Sequence, residues 1–240
     1  MINNFLTSIF VILLSFTSPV TTNFSASPIT SPKTLAAVAE TKEATAKDVY
    51  NSIDANSFSL PAFECFSKAL RGYEKLKEQG KIKKNYLTVI DFSKSSNTKR
   101  LWIIDMESEK VLFNTYVAHG RNSGNEFAKT FSNKPSSYKS SLGFYTTGEI
   151  YTGKHGESLR LDGVESGINS NARARAIVMH AADYVSESFI KQNSRLGRSL
   201  GCPALPNHLN KKIINLITGK SCLFIYHPNK TYLTSSKLLS

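Results

Sequence analysis

Cys202 stands between Gly201 and Pro203 in the run RLGRSLGCPALP, Arg195 to Pro206, and His180 closes the apolar run RAIVMH upstream of it. Three chemistries fit this pair: a thiol nucleophile with its base, a metal site, or two unrelated core residues. A cysteine attacks as the thiolate, so a catalytic one needs a base or a positive field close by. It also needs donors for the oxyanion that forms on the attacked carbonyl. Gly201 permits a tight turn and Pro203 sets the exit direction, so the backbone of Ser199, Leu200 and Gly201 can converge with that of Cys202 on one point. Arg195 and Arg198 would favour both a thiolate and an anionic substrate. Zinc held by His180, Cys202 and His208 is the rival, but no H-x-x-x-H, C-x-x-C or H-E-x-x-H spacing occurs, and no metal is expected.

The elements that must position these residues follow from periodicity. Phe63, Phe66, Leu70, Tyr73 and Leu76 recur at steps of three and four, which predicts an amphipathic helix over 61–80, its polar face carrying Lys68, Arg71, Lys75 and Lys77. YLTVIDF, RLWIIDM and KVLFNTYVAHG then read as three strands of an antiparallel meander, the last with a clear period of two. Residues 121–167 are rich in Gly, Ser, Asn and Thr and predict short strands joined by loops. RAIVMH reads as a short buried strand that ends at His180, DYVSESFIKQN as a helix, and PNHLNKKIINLITG as a second helix with Asn207 as its cap and Gly219 as its stop. SCLFIYH closes the chain as a strand. The predicted class is mainly β with a few helices, α+β, in one domain over 81–235.

The chain has 240 residues, of which 40% are hydrophobic, enough for one large domain with a real core plus extensions. Phe5 to Phe16 form an apolar stretch of the length of a secretory signal core, too short to span a bilayer, and the small residues of NFSASP place a cleavage near Ala26. Residues 1–26 therefore read as a signal peptide, 27–60 as a Thr-, Ser-, Ala- and Pro-rich flexible linker, and the protein as periplasmic or secreted. Lys and Arg number 30 against 18 Asp and Glu, a formal charge of +12 that favours polyanionic surroundings. Export, with no recognised module, argues against nucleic acid and leaves an anionic cell envelope. The three cysteines, Cys65, Cys202 and Cys222, make an odd number; a Cys65–Cys222 bridge would leave Cys202 free.

Beyond these local patterns, His180, a helix-bearing gap and S-x-G-C at Ser199–Cys202 resemble the signature of YkuD-type L,D-transpeptidase catalytic domains. The similarity is closer to the murein L,D-transpeptidase subgroup, through VAHG, FSN, SSLGFYTTGE, YTGKHGESLRLDG, NARARAIVMH, ADYV and LGRSLGCPALP, which run in order between Tyr86 and Tyr226. The resemblance implies a YkuD-like β-sandwich, no cofactor, and Cys202 acylated by a peptidoglycan donor stem with His180 as base. An acceptor stem then resolves the thioester as a crosslink between diaminopimelate residues; water as acceptor gives L,D-carboxypeptidase trimming. It further implies acylation of Cys202 by carbapenems and a backbone carbonyl that orients the second imidazole nitrogen. Two positions depart from the pattern: Ala181 replaces the Gly that often follows the histidine, and Leu200 replaces the His or Trp before Gly-Cys. A non-catalytic peptidoglycan-binding protein using the same cleft is the alternative outside enzymology.

His119 and His155, each beside glycine, are candidate cleft residues, as is Arg160 in SLRLDG for a stem carboxylate. Arg198 is the fourth candidate for substrate binding. Asp183 reads as a loop or cap residue, and Arg173 and Arg175 as surface charges.

Overall fold

The protein was analysed as a computed structural model that describes residues 43–240. The signal-peptide reading and the first part of the linker fall outside the described residues. The rest of the linker is not free chain: 43–52 are helical (α1), and Tyr50 packs against the rings of Phe63 and Phe66, each centroid 5.4 Å away. Composition concealed this because the segment has few large apolar residues and borrows its buried surface from the next helix.

That helix, α2 (Phe63–Glu78), buries Phe66, Leu70, Tyr73 and Leu76, as its period requires. It lies on β1 (Tyr86–Asp91) and β8 (Cys222–Tyr226). Gly72 makes this approach possible, since a Cβ there would lie 2.0 Å from the Phe144 ring, which itself stacks on Phe224 at 4.2 Å.

The meander forms as expected. β2 (Leu101–Asp105) pairs antiparallel with β1 through Val89↔Trp102, and β3 (Lys110–Thr115) pairs with β2 through Leu101↔Thr115. The closing strand β8 inserts beside β1 in parallel, Val89↔Phe224, and on its other side meets β4 (Gly143–Gly153) antiparallel, Phe144↔Phe224. All five residues of β8 are buried, the signature of a central strand covered on both faces. β4 and β5 (Gly156–Gly163) make a long hairpin where short strands were expected, followed by β6 (Val178–Ala181) and β7 (Ala204–Leu205). The order is β3-β2-β1-β8-β4-β5-β6-β7 in one mixed sheet, which with its helices is the predicted α+β class.

The two edges of this sheet meet. Chain leaving β3 bridges to β7 and the loop before it, at Ala118↔Ala204 and Gly120↔Ser199, with Ala118 donating to the Ala204 carbonyl at 3.0 Å. The sheet therefore curls over on itself, and Cys202 lies in the seam. Short helices complete the shell: α3 (Glu187–Asn193), capped by Ser186, α4 (Asn207–Ile217) and α5 (Lys230–Ser235). Asn207 is the first residue of α4 and not its cap, because Pro206 occupies that position and the Asn207 amide instead donates to Asp183. α5 was not predicted. It is latched by buried Glu165, which accepts from Phe144 N at 2.7 Å, Tyr232 Oη at 3.2 Å and the Ser236 hydroxyl.

Candidate active site

Strand register brings the cysteine to the histidine's strand. β6 and β7 run parallel with His180 opposite Ala204, so Cys202, two residues before Ala204, arrives beside Val178, two residues before His180. The Val178 amide donates to Cys202 Sγ at 3.4 Å, and Sγ lies 3.6 Å from the Ala176 carbonyl. The loop carrying Cys202 is pinned at several points. Ser199 Oγ donates to the Cys202 carbonyl at 2.6 Å and accepts from Gly201 N at 3.0 Å, while Ser140 Oγ donates to the Gly201 carbonyl at 3.1 Å and accepts from Gly120 N at 3.0 Å. Gly201 has φ +124°, and a Cβ there would stand 2.8 Å from the Lys139 carbonyl oxygen.

These contacts sort the amides of the S-x-G-C turn. Ser199 N is engaged by the His119 carbonyl and Gly201 N by Ser199 Oγ, so neither is open to an oxyanion. The amides of Leu200 and Cys202 have no acceptor among the described residues. Leu200 is also 52% exposed beside the nucleophile.

His180 Nδ1 lies 2.8 Å from the Ala181 carbonyl, so Nδ1 carries the proton and Nε2 keeps its lone pair when the ring is neutral. The His155 ring, at the tip of the β4–β5 hairpin, stacks on His180 with centroids 4.4 Å apart and 23° between planes. Burial chiefly lowers the His180 pKa; the Ala181 carbonyl opposes this, and His155 and Lys154 add to it. Burial chiefly raises that of Cys202, against the Val178 amide, Arg175 and Lys154. Shifts in these opposite directions favour the neutral thiol and the neutral imidazole over their charged forms.

The thiolate-favouring charges are therefore Arg175 and Lys154, not Arg195 and Arg198 as the sequence suggested. Arg175 is a correction to the surface-charge reading. Its guanidinium is half-buried and donates to the carbonyls of Ser132 at 2.7 Å and Lys139 at 2.6 Å and to the hydroxyls of Ser141 at 2.6 Å and Ser137 at 3.2 Å. Arg173 does form surface ion pairs, with Glu149 and Asp162. Nothing in NARARA distinguishes the two arginines; their different partners appear only in the folded chain.

The other candidates fall in different places. Arg160, opposite Val178 on β5, is paired with Glu149 at 3.0 Å and lies over the Tyr151 ring. Arg198 is held on the turn 121–125, donating to Asn125 Oδ1 at 2.7 Å. His119 does not face a cleft: it is fully buried, Arg100 Nη2 donates to its Nδ1 at 2.8 Å, and Nε2 lies 3.3 Å from the Gly124 carbonyl. A guanidinium can only donate, so His119 is neutral with the proton on Nε2. Burial and then the Arg100 charge push its pKa down to about 3. An unfolded histidine takes up a proton near pH 6.5, whereas this one cannot until far lower, so stability present above that pH is lost as pH falls. Between about pH 6.5 and pH 3 the loss from this group approaches ~1.4 kcal/mol per pH unit. Urea midpoints at pH 7 and pH 5 should fall accordingly, and His119→Asn should flatten the dependence; an unchanged slope in the variant would assign the effect elsewhere.

All three cysteines are unpaired, so the Cys65–Cys222 bridge is not formed. Cys65 and Cys222 are fully buried, and burial raises both thiols well above their ordinary range.

A mixed curled sheet with a cysteine loop at its seam and a histidine on the adjoining strand narrows the class to α+β domains that set a thiol beside a strand-borne imidazole. Residues 59–226 match the L,D-transpeptidase catalytic domain family (YkuD_2), and the chain belongs to that family. No curated protein matches. Solved structures similar to it include an L,D-transpeptidase from Mycobacterium smegmatis, 12% identical with a TM-score of 0.36, covering 60% of this chain and 59% of that one. A K307A mutant of the helical cell shape determining protein Pgp2 from Campylobacter jejuni is 14% identical, TM-score 0.41, covering 68% and 57%. An L,D-transpeptidase from Stackebrandtia nassauensis is 14% identical, TM-score 0.36, covering 80% and 93%. The chain thus spans less than two thirds of the Mycobacterium smegmatis chain it resembles.

Proposed function

We propose that this protein is an exported cysteine L,D-transpeptidase that crosslinks peptidoglycan stem peptides, with residues 81–235 as its catalytic domain. The observation that carries the reading is the β6–β7 register, which sets Cys202 Sγ against the Val178 amide on the strand of His180, whose Nδ1 is tied to Ala181. His180 Nε2 takes the Sγ proton as sulfur attacks the carbonyl carbon before the terminal D-amino acid of a donor stem. The amides of Leu200 and Cys202 receive the oxyanion. Collapse of the tetrahedral adduct breaks the C–N bond, and the imidazolium returns its proton to the leaving amine. The acceptor amine, deprotonated by His180, then attacks the thioester and restores the thiol. His155 stacks on the ring of the base and helps to fix its orientation. Starting from a neutral pair suits this sequence, because His180 is already the free base at envelope pH.

The acceptor decides between crosslinking and L,D-carboxypeptidase trimming, in which water takes the amine's place. No helix among the described residues is long and apolar enough to cross a membrane, and the charge of +12 would hold the protein at an anionic envelope.

Intact-mass analysis after incubation with a tetrapeptide-stem muropeptide tests the reading. The wild-type protein should gain the mass of the stem less its terminal residue and release a crosslinked or trimmed product; Cys202→Ala should do neither. An unmodified protein with the muropeptide bound would replace the enzyme with a wall-binding protein. A carbapenem should likewise acylate Cys202 and spare the buried Cys65 and Cys222; adducts on the latter two would count against the assignment.

A further inference from the structure

The two segments that meet in the seam, 121–127 and 195–200, carry three arginines and a second feature that points to a ligand. Arg121 is exposed, and its guanidinium lies 4.3 Å from the centre of the Tyr138 ring. Its own amide donates to the Ser199 carbonyl at 2.8 Å, which places it beside the nucleophile loop. Arg198 is half-buried and fixed on the opposing turn through Nη1, to Asn125 Oδ1 at 2.7 Å and the Gly124 carbonyl at 3.3 Å. Arg195 Nη1 donates to the Leu196 carbonyl at 2.8 Å. Burial and then the like charges of Arg195 and Arg121 lower the Arg198 pKa, so the three cations share one region.

None of the three takes part in an ion pair among the described residues, whereas Arg160 and Arg173, on the other side of the histidine strand, are both neutralised by carboxylates. Glu126, on the same turn, is bonded to the Ser95 hydroxyl instead. Like charges gathered without a counter-ion raise the energy of the free protein and lower it when an anion arrives. Guanidinium forks held in place lose little freedom on binding a carboxylate. The second feature is apolar: the two large hydrophobic side chains that remain exposed among the described residues, Phe127 at 43% and Leu200 at 52%, stand on these same two segments.

Resting on the function proposed above, we propose that Arg121, Arg195 and Arg198, with Leu200 and Phe127 as an apolar shoulder, form a subsite for the free carboxylates of a peptidoglycan peptide stem, its aliphatic chain lying on the shoulder.

Calorimetric titration of the full chain bearing Cys202→Ala, which binds without turnover, separates the possibilities. The probes are a tetrapeptide-stem muropeptide and its counterpart with every free carboxylate amidated. The acidic stem should bind at least about tenfold more tightly, with an affinity that falls as salt is raised. Adding Arg195→Gln and Arg198→Gln should remove that preference and flatten the salt dependence, while binding of the amidated stem stays the same. Equal affinity for both stems, no binding of either, or a preference that survives the two substitutions overturns the subsite. Should the substituted chain fail to fold, the two stems on the intact arginines still decide. The Cys202 mass adduct in the unsubstituted protein is read separately, so loss of the arginine subsite leaves the enzyme standing.

Discussion

Replacing His180 with alanine should slow acylation of Cys202 by a muropeptide about 10²–10⁴-fold, the span that a positioned general base contributes. The pH profile gives the stronger test. Burial depresses the His180 pKa and raises that of Cys202, so the resting thiol is protonated and the base free. In the wild-type protein the rate should fall on the acid side, at a pH below that at which an ordinary histidine titrates, as the imidazole binds the proton it must accept. In His180→Ala that acid limb should vanish. The residual rate should instead climb with pH into the alkaline range, because only the small thiolate fraction of a thiol with a raised pKa can attack. Intact-mass time courses from pH 5 to pH 10 on both proteins read both features. Persistence of the acid limb in the variant would mean that some other group takes the Sγ proton, and His155 would be the first to examine.

Gly201→Ala should be almost as damaging, for a conformational reason. At φ +124° a side chain is strained by about 1–3 kcal/mol wherever it points. Here the new Cβ would also stand 2.8 Å from the Lys139 carbonyl oxygen, with Ile177 Cδ1 at 3.1 Å and Arg175 Nη2 at 3.3 Å. The nearest contact is with a backbone oxygen that cannot rotate away, so the loop itself must shift. That shift would carry Cys202 off the Val178 amide and loosen the Ser140 hydroxyl from the Gly201 carbonyl. A displacement of ångström scale at a reacting atom costs about 100-fold in rate, so acylation should fall by at least that much, together with the thermal midpoint. Gly80→Ala is the control. Gly80 has φ +67° and nothing within 4 Å of its Cβ position, so the substitution should lower stability and leave the acylation rate unchanged. Equal rates for Gly201→Ala and the wild-type protein would show that the nucleophile loop tolerates the shift and that its geometry is not limiting.

Much of the chain was legible because the signals are local. The period of α2 and the apolar run into His180 state which residues must leave water, and the structure buries them, whereas along β3 the burial does not follow the alternation, since Asn114 is buried and Phe113 only partly so. The Gly-Cys-Pro turn and the ordered motifs from Val117 to Pro206 are enough by themselves to point to the family. Periodicity does not state what a buried face is buried against. The continuous apolar run in SCLFIYH fits a strand covered on both faces, but its insertion between β1 and β4 joins residues far apart in sequence, and nothing in the run names those neighbours. The roles of the charged groups were hidden for the same reason. Arg173 and Arg175 sit two residues apart in one run, yet one is a surface ion pair and the other lies beneath the nucleophile loop. His119 and His155 both neighbour glycine, yet one is sealed against Arg100 and the other stacks on His180. The sequence by itself determined the strongly periodic elements, the family and the two residues that could react, but not α1, α5 or the length of the β4–β5 hairpin. The closure of the sheet decided which charges surround them, because a charge's effect depends on distance and on exclusion of water, and both exist only once the edges of the sheet have met.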